Sequence, residues 1–260
     1  MTSIKGQRKS LGVDIGGSSI KFCVIDQESK SILNTNTVQH TSGTGTEAIV
    51  SIIMKQIEEW KFIGNLGIGF PGIVEKMVVM DAPNLGNWWN GFDFTTQFVH
   101  PNVEVISVLN DADAAAMAMI EQTSSWKEQN ILCLTIGTGI GSGWISKGQL
   151  VKGTEYGREY SPYLKCTLEQ WASAKVINDE NISLEEWVDR FSDILKILIK
   201  KYSPEAIILS GGITTNEDLW LSELQHLHSI PIAISEYSDY TGAYGAAVSC
   251  VINALTARGV

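Results

Sequence analysis

Two stretches of this 260-residue chain share one plan. Leu11-Gly-Val-Asp14-Ile-Gly16-Gly17-Ser18-Ser19-Ile-Lys21 and Leu132-Cys-Leu-Thr135-Ile-Gly137-Thr138-Gly139-Ile-Gly141-Ser142 each run from an apolar strand through a small polar residue into a glycine-rich turn and a second strand. A tight glycine turn lets backbone N–H groups converge, and such a concavity binds phosphate oxygens without basic side chains. Ordinary β-hairpins, whose glycines serve only the turn, are the alternative. Two copies, each with a polar residue at the strand end, weigh against that alternative and suggest two similar lobes. Other glycine-loop chemistries do not fit: no glycine precedes a lysine as in a Walker A loop, and Ser142 stands where Gly137-x-Gly139-x-x would need a third glycine. The sequence also lacks a His-Arg-Asp loop and a Gly-x-Ser-x-Gly elbow.

The elements that must position these turns alternate along the chain. Apolar runs bounded by turn residues predict strands at 11–15, 20–26, 31–39, 66–70, 104–109, 131–136, 143–146, 206–210 and 231–234. Helical spacing predicts one helix from Thr46 to Trp60, with Ile49, Ile52, Ile53, Ile57 and Trp60 on one face, and another that follows Asn110 through the alanine-rich stretch to Glu121. A Ser183/Glu186 capping box opens a third, striped by Leu184, Trp187, Val188, Phe191, Leu195 and Leu198, and Thr241–Leu255 reads as a small-residue helix. The class is α/β.

Composition narrows the partners. With 19 Lys+Arg against 29 Asp+Glu, the net charge of −10 disfavours nonspecific attraction to nucleic acid or an anionic membrane, so a polyanion must meet a local site. Cys23, Cys133, Cys166 and Cys250 are far apart and suit buried free thiols rather than a redox pair. No apolar h-region follows the charged N-terminus and no apolar run is long enough to span a membrane, so a soluble, cytoplasmic protein is expected.

Seven motifs in order carry a resemblance: Asp14-Ile-Gly-Gly-Ser-Ser-Ile-Lys21, Gly67-Ile-Gly-Phe-Pro71-Gly72, Ala82-Pro-Asn84, Asn110-Asp111-Ala-Asp113-Ala-Ala, Thr135-Ile-Gly-Thr-Gly-Ile-Gly141, Gly153-Thr-Glu155-Tyr-Gly157 and Ile207-Ile-Leu-Ser-Gly211-Gly212-Ile. Together they resemble the ROK (repressor, ORF, kinase) family of sugar kinases, and within it the polyphosphate glucokinase branch. The resemblance implies an actin-like ATPase (ribonuclease H-like) fold: two lobes of mixed sheet flanked by helices with the active site in the cleft between them. The expected lobes are residues 1–109, completed by a helix at about 242–260, and residues 110–241. The implied activity is transfer of a phosphoryl group from ATP or polyphosphate to a hexose hydroxyl, the primary 6-OH, with Mg²⁺ as cofactor. A homodimer is the expected assembly. About ten residues precede Leu11, so no DNA-binding module is expected before the first loop. A sugar- or nucleotide-binding sensor without catalysis is the competing class.

Residue by residue, the resemblance assigns Asp111 as general base. A carboxylate at a strand end opening a helix can take the proton from an attacking hydroxyl, although Asn110 or Asp111 would also make a good helix N-cap. Asp14 would orient Mg²⁺ or its waters, or else satisfy turn amides. Gly16, Gly17 and Ser18, with Gly137, Thr138 and Gly139, would hold the donor phosphates. Gly211 and Gly212 would let a nucleotide lie against the backbone, or form a strand-to-helix turn. Asn84, Asn110, Glu155 and Glu169 would bond sugar hydroxyls, and Trp88-Trp89 would stack on a sugar face or pack a lobe. Lys147, Lys152, Arg158 and Lys165 could form a basic track for polyphosphate. Two departures stand out: Cys166 alone remains of the family's cysteine cluster, so no zinc is expected, and Arg158 replaces a histidine that would contact the sugar.

Overall fold

The structure, a computed structural model, describes residues 8–41, 43–82, 85–122, 126 and 128–257, without the side chains of Gln97, Val105 and 252–257. The chain divides into two units, Met1–Ala118 with Gly242–Val260, and Met119–Thr241.

The first unit begins with β1 (Lys9–Ile15), β2 (Ser19–Asp26) and β3 (Ile32–Gln39), followed by α1 (Thr46–Glu59) and β4 (Gly64–Phe70). A short hairpin of β5 (Ile73–Glu75) and β6 (Val78–Asp81) precedes α2 (Phe94–Gln97), β7 (Val103–Asn110) and α3 (Asp111–Gln122). The chain passes into the second unit within α3, between Ala118 and Met119. There it forms β8 (Asn130–Ile136), β9 (Ile140–Ser146), β10 (Gln149–Val151), the two-residue strands β11 (Tyr160–Ser161) and β12 (Cys166–Thr167), α4 (Leu168–Ala172), α5 (Ala174–Asp179) and α6 (Leu184–Tyr202). β13 (Ala206–Ser210), α7 (Leu221–Leu227), β14 (Ile232–Ile234) and α8 (Thr241–Ala257) complete it, α8 returning to the first unit from Gly242.

The duplication extends to topology. The first sheet has the order β3-β2-β1-β4-β7 and the second β10-β9-β8-β13-β14. In each, an antiparallel hairpin starts the sheet and two further strands run parallel to its first strand.

Period-2 alternation decides what each face of the first sheet receives. Leu11, Val13 and Ile15 of β1 and Leu66, Ile68 and Phe70 of β4 share a core with Ile49, Ile53 and Ile57 of α1. The opposite face is built small so that backbone can approach. A Cβ on Gly12 would stand 1.7 Å from the Ala243 carbonyl oxygen, and one on Gly67 would stand 1.9 Å from that of Ala246. Gly245 meets the Ala114 carbonyl of α3 in the same way. The Gly67-Ile-Gly69 alternation is therefore a helix seat on one side and a core on the other. In the second unit Leu132, Leu134, Ile136, Ile207 and Leu209 pack on the predicted stripe of α6, with Trp187, Val188, Phe191, Leu195 and Leu198 buried.

Some local expectations are corrected. Ser183 caps α6 by accepting from the Glu186 N–H, but the Glu186 carboxylate turns to Arg190 instead of completing the box. A complete capping box is formed instead by Thr167 with Gln170 at α4. Cys23, Cys133 and Cys250 are buried free thiols, and Cys166 is half-buried. Among the described residues no helix is long and apolar enough to cross a membrane.

Candidate functional site

In the first unit the carboxyl ends of β1, β4 and β7 lie side by side, and ligands of open α/β sheets bind at such ends. The register pairs Asp14 with Gly69, Gly69 with Leu109 and Phe70 with Asn110. Gly69 lies between the Asp14 carboxylate and the backbone of Asp111: a Cβ there would lie 3.6 Å from Asp14 Oδ1 and 3.7 Å from the Asp111 Cα. Asn110 accepts from the N–H groups of Ala112 (2.9 Å) and Asp113 (3.3 Å), and its amide donates to the Gly72 carbonyl at 3.3 Å. Asn110 is thus the cap of α3, while Asp111, in the first turn, receives the Ala112 N–H on Oδ1 at 2.9 Å.

Asp14 faces the α8 side of the sheet, where a Cβ on Gly242 would come within 2.7 Å of its carboxylate. Burial pushes its carboxyl up to about 6, partly offset by Lys21, its cross-strand partner on β2. The turn after it closes with the Gly16 N–H on the Ser19 carbonyl at 2.9 Å. A Cβ on Gly17 would meet nothing within 4 Å. His40, which the sequence did not single out, clasps this turn. Its N–H donates to the Ser18 carbonyl at 2.9 Å, and its Nε2 lies 3.0 Å from the Gly16 carbonyl.

In the second unit the equivalent turn is shorter, with the Gly137 N–H on the Gly139 carbonyl at 3.0 Å and Thr138 exposed at its tip. A Cβ on Gly137 would meet nothing within 4 Å. Gly139 is glycine for a visible reason, since a Cβ there would stand 2.6 Å from Glu169 Oε2, which also accepts from the Ile140 N–H at 3.4 Å. Gly211 joins the same corner at φ +102°, where a Cβ would be 2.3 Å from the Ile136 carbonyl. Its glycine is required by the turn, whereas Gly212 faces open space. The structure thus brings Gly137, Thr138, Gly139, Glu169 and Gly211 together.

Glu155 and Arg158 form a second group, with Arg158 Nε 3.5 Å from Glu155 Oε2 and both side chains some two-fifths exposed, at 43% and 41%. Their turn lies flat on β9. Thr154 and Ser142 exchange hydrogen bonds of 2.8 and 3.1 Å, the Tyr156 N–H donates to Ser142 Oγ at 2.8 Å, and a Cβ on Gly157 would strike the Ile140 carbonyl at 1.9 Å. Trp89 is buried against Phe70, Phe92 and Phe94, so it packs its unit, while Trp88 is 54% exposed. Asn84 lies outside the described residues.

A model of the ROK family matches residues 10–158. Polyphosphate glucokinase of Mycobacterium tuberculosis (strain ATCC 25618 / H37Rv) is 27% identical over 248 residues, 94% of this chain and 92% of that protein. That of Mycobacterium leprae is 28% identical over 246 residues, covering 94% and 75%. Among solved structures, an inorganic polyphosphate/ATP-glucomannokinase from Arthrobacter sp. strain KM superposes with a TM-score of 0.84 at 26% identity, covering 95% of this chain and 99% of that one. A ROK family glucokinase from Streptomyces griseus, solved with glucose and AMPPNP, gives a TM-score of 0.74 at 22% identity over 93% and 99%. The fold is that of these kinases, the actin-like ATPase class expected from the motifs.

Proposed function

This chain belongs to the ROK family, and from that premise we propose that it is a sugar kinase that moves the terminal phosphoryl group of ATP or polyphosphate onto the primary 6-OH of a hexose. The observation that carries the reading is the placement of Asp14 at the end of β1 and Asp111 at the start of α3 after β7, the two strands that flank Gly69 of β4, with helix capping assigned to Asn110. Asp111 takes the proton from the hydroxyl as its oxygen bonds to phosphorus, and the bond from phosphorus to the leaving donor oxygen breaks. Asn84, Asn110, Glu155 and Glu169 are the proposed hydroxyl partners. Gly16, Gly17, Ser18, Gly137, Thr138 and Gly139 are the proposed phosphate contacts, and Gly212 the place where a nucleotide approaches the backbone.

Asp14 is the proposed contact of Mg²⁺, directly or through its waters: it is a hard oxygen donor whose ionisation burial opposes, and a nearby cation would favour the charged form. A magnesium ion bound there would supply charge neutralisation at the transferred phosphate. Lys147, Lys152, Arg158 and Lys165 are exposed and are the proposed contacts of a polyphosphate chain. The proposed assembly is a homodimer.

Donor consumption over a panel of hexoses, crossed with ATP and polyphosphate, tests this reading. Phosphorylation of a hexose at one donor supports it. The pairing of Arg158 with Glu155 favours a second reading, a sugar sensor without turnover, in which hexoses bind and no donor is consumed.

A further inference from the structure

The carboxylate of Glu155 meets the solvent-exposed Arg158, a contact too loose to fix its position, so its placement depends on the backbone that carries it. That backbone ends at Glu159, which is tied on every side. Glu159 Oε1 accepts the Tyr202 hydroxyl and Oε2 accepts the Lys201 ammonium at 2.7 Å, both from the last turn of α6. Its N–H donates to the Tyr156 carbonyl, and its carbonyl accepts the Leu168 N–H at 3.1 Å. Leu168 opens α4, whose next residue is Glu169. The Tyr156 ring stacks on Tyr202 with centroids 4.1 Å apart and planes 19° from parallel, and Trp144 flanks both rings at 6.4 and 6.3 Å. One end of a 19-residue helix therefore anchors a single residue from which the chain runs back to Glu155 and across to Glu169.

We propose that Glu159, held by Tyr202 and Lys201, is a positioning residue for sugar recognition that sets Glu155 through its turn and Glu169 through the start of α4. The proposal rests on the reading of Glu155 and Glu169 as sugar contacts. Neither Glu159 nor Tyr202 touches the sugar in it; they act through those two carboxylates. Side-chain exposures of 54% at Lys201 and 26% at Glu159 make the ion pair a small contributor to stability, since partly exposed pairs add little. A specific effect on substrate is then separable from unfolding.

The test compares Tyr202→Phe, which keeps the stacked ring and removes the hydroxyl, with Glu159→Gln and Glu159→Ala, in steady-state kinetics with glucose and each donor alongside thermal melts. Tyr202→Phe and Glu159→Ala are expected to raise the hexose KM about tenfold, with kcat within about twofold and Tm within about 3 °C of wild type, and with a rise in donor KM smaller than that in hexose KM because Glu169 also borders the Gly139 turn. Glu159→Gln, which can still accept the Tyr202 hydroxyl, is expected to recover most of the loss seen in Glu159→Ala. An unchanged hexose KM in both Tyr202→Phe and Glu159→Ala would overturn the proposal, as would parallel changes in hexose KM, donor KM and Tm, which mark a merely structural role. A wild-type protein that phosphorylates no hexose would instead overturn the assignment of Glu155 and Glu169 on which it stands.

Discussion

Gly137→Ala separates the phosphate reading of the glycine turns from the hairpin reading. Gly137 does not have a positive φ, and a Cβ there meets nothing within 4 Å, so the fold alone gives no reason for glycine. Alanine at a compatible position narrows the unfolded ensemble and stabilises by about 0.4–1 kcal/mol, which predicts a Tm equal to wild type or up to about 4 °C higher. A phosphate oxygen bonding a backbone N–H approaches to about 2.9 Å, and a methyl group at the turn obstructs that approach. Loss of one charge-assisted bond costs about 1.5–3 kcal/mol, which corresponds to a donor KM raised about 10- to 150-fold. Initial rates against donor concentration at saturating hexose measure it, with hexose KM as the internal control. A donor KM within about twofold of wild type in a normally melting variant would refute the reasoning. Gly139→Ala is the poorer probe, because its Cβ would displace the Glu169 carboxylate as well.

Gly67→Ala, by contrast, drives a methyl into the Ala246 carbonyl and is expected to lower Tm by at least about 5 °C through displacement of α8, as read by calorimetry. Asp14 has its folded carboxyl at about 6 against 3.8 unfolded, so the folded state holds the proton more tightly and its burial cost is complete above about pH 6 and gone below about 3.8. Asp14→Asn is therefore expected to abolish phosphoryl transfer while gaining about 2–3 kcal/mol of stability at pH 7.5, a gain that fades in melts taken toward pH 4. Arg158→His removes a half-exposed pairing worth about 0.2–1 kcal/mol and is expected to lower the glucose KM by up to about fivefold; an unchanged KM would place Arg158 outside sugar recognition.

The parts legible in the sequence were those with local or periodic signals. β1, β4, β8 and β13 are apolar runs ending in glycine or polar residues, and the repeated hairpin announced two related sheets before any topology was known. The β5–β6 hairpin was missed because its turn residues, Lys76 at φ 48° and Met77 at φ 71°, occupy a left-handed pair normally marked by Asn-Gly. α6 ends on Ser203 at φ 51° without the usual glycine. At the site, Asp14 and Asp111 were visible as strand-end carboxylates, but adjacent Asn110 and Asp111 are both competent caps, and only the geometry of the β7 end gives the task to Asn110. Trp88 and Trp89 are indistinguishable in sequence, and burial takes one of them. His40 and Glu159 carried no signal, since their partners Gly16 and Tyr202 lie 24 and 43 residues away.

Replacement of Asp111 by asparagine is the direct measurement of the central claim. Asparagine retains the shape of the side chain and an oxygen to receive the Ala112 N–H, but it cannot take a proton from the sugar hydroxyl. With hexose and donor saturating, kcat of Asp111→Asn is predicted to fall by about 10²–10⁴-fold or more, while hexose affinity by calorimetry and Tm stay close to wild type. A folded Asp111→Asn protein that binds hexose and turns over at a near wild-type rate would contradict the account.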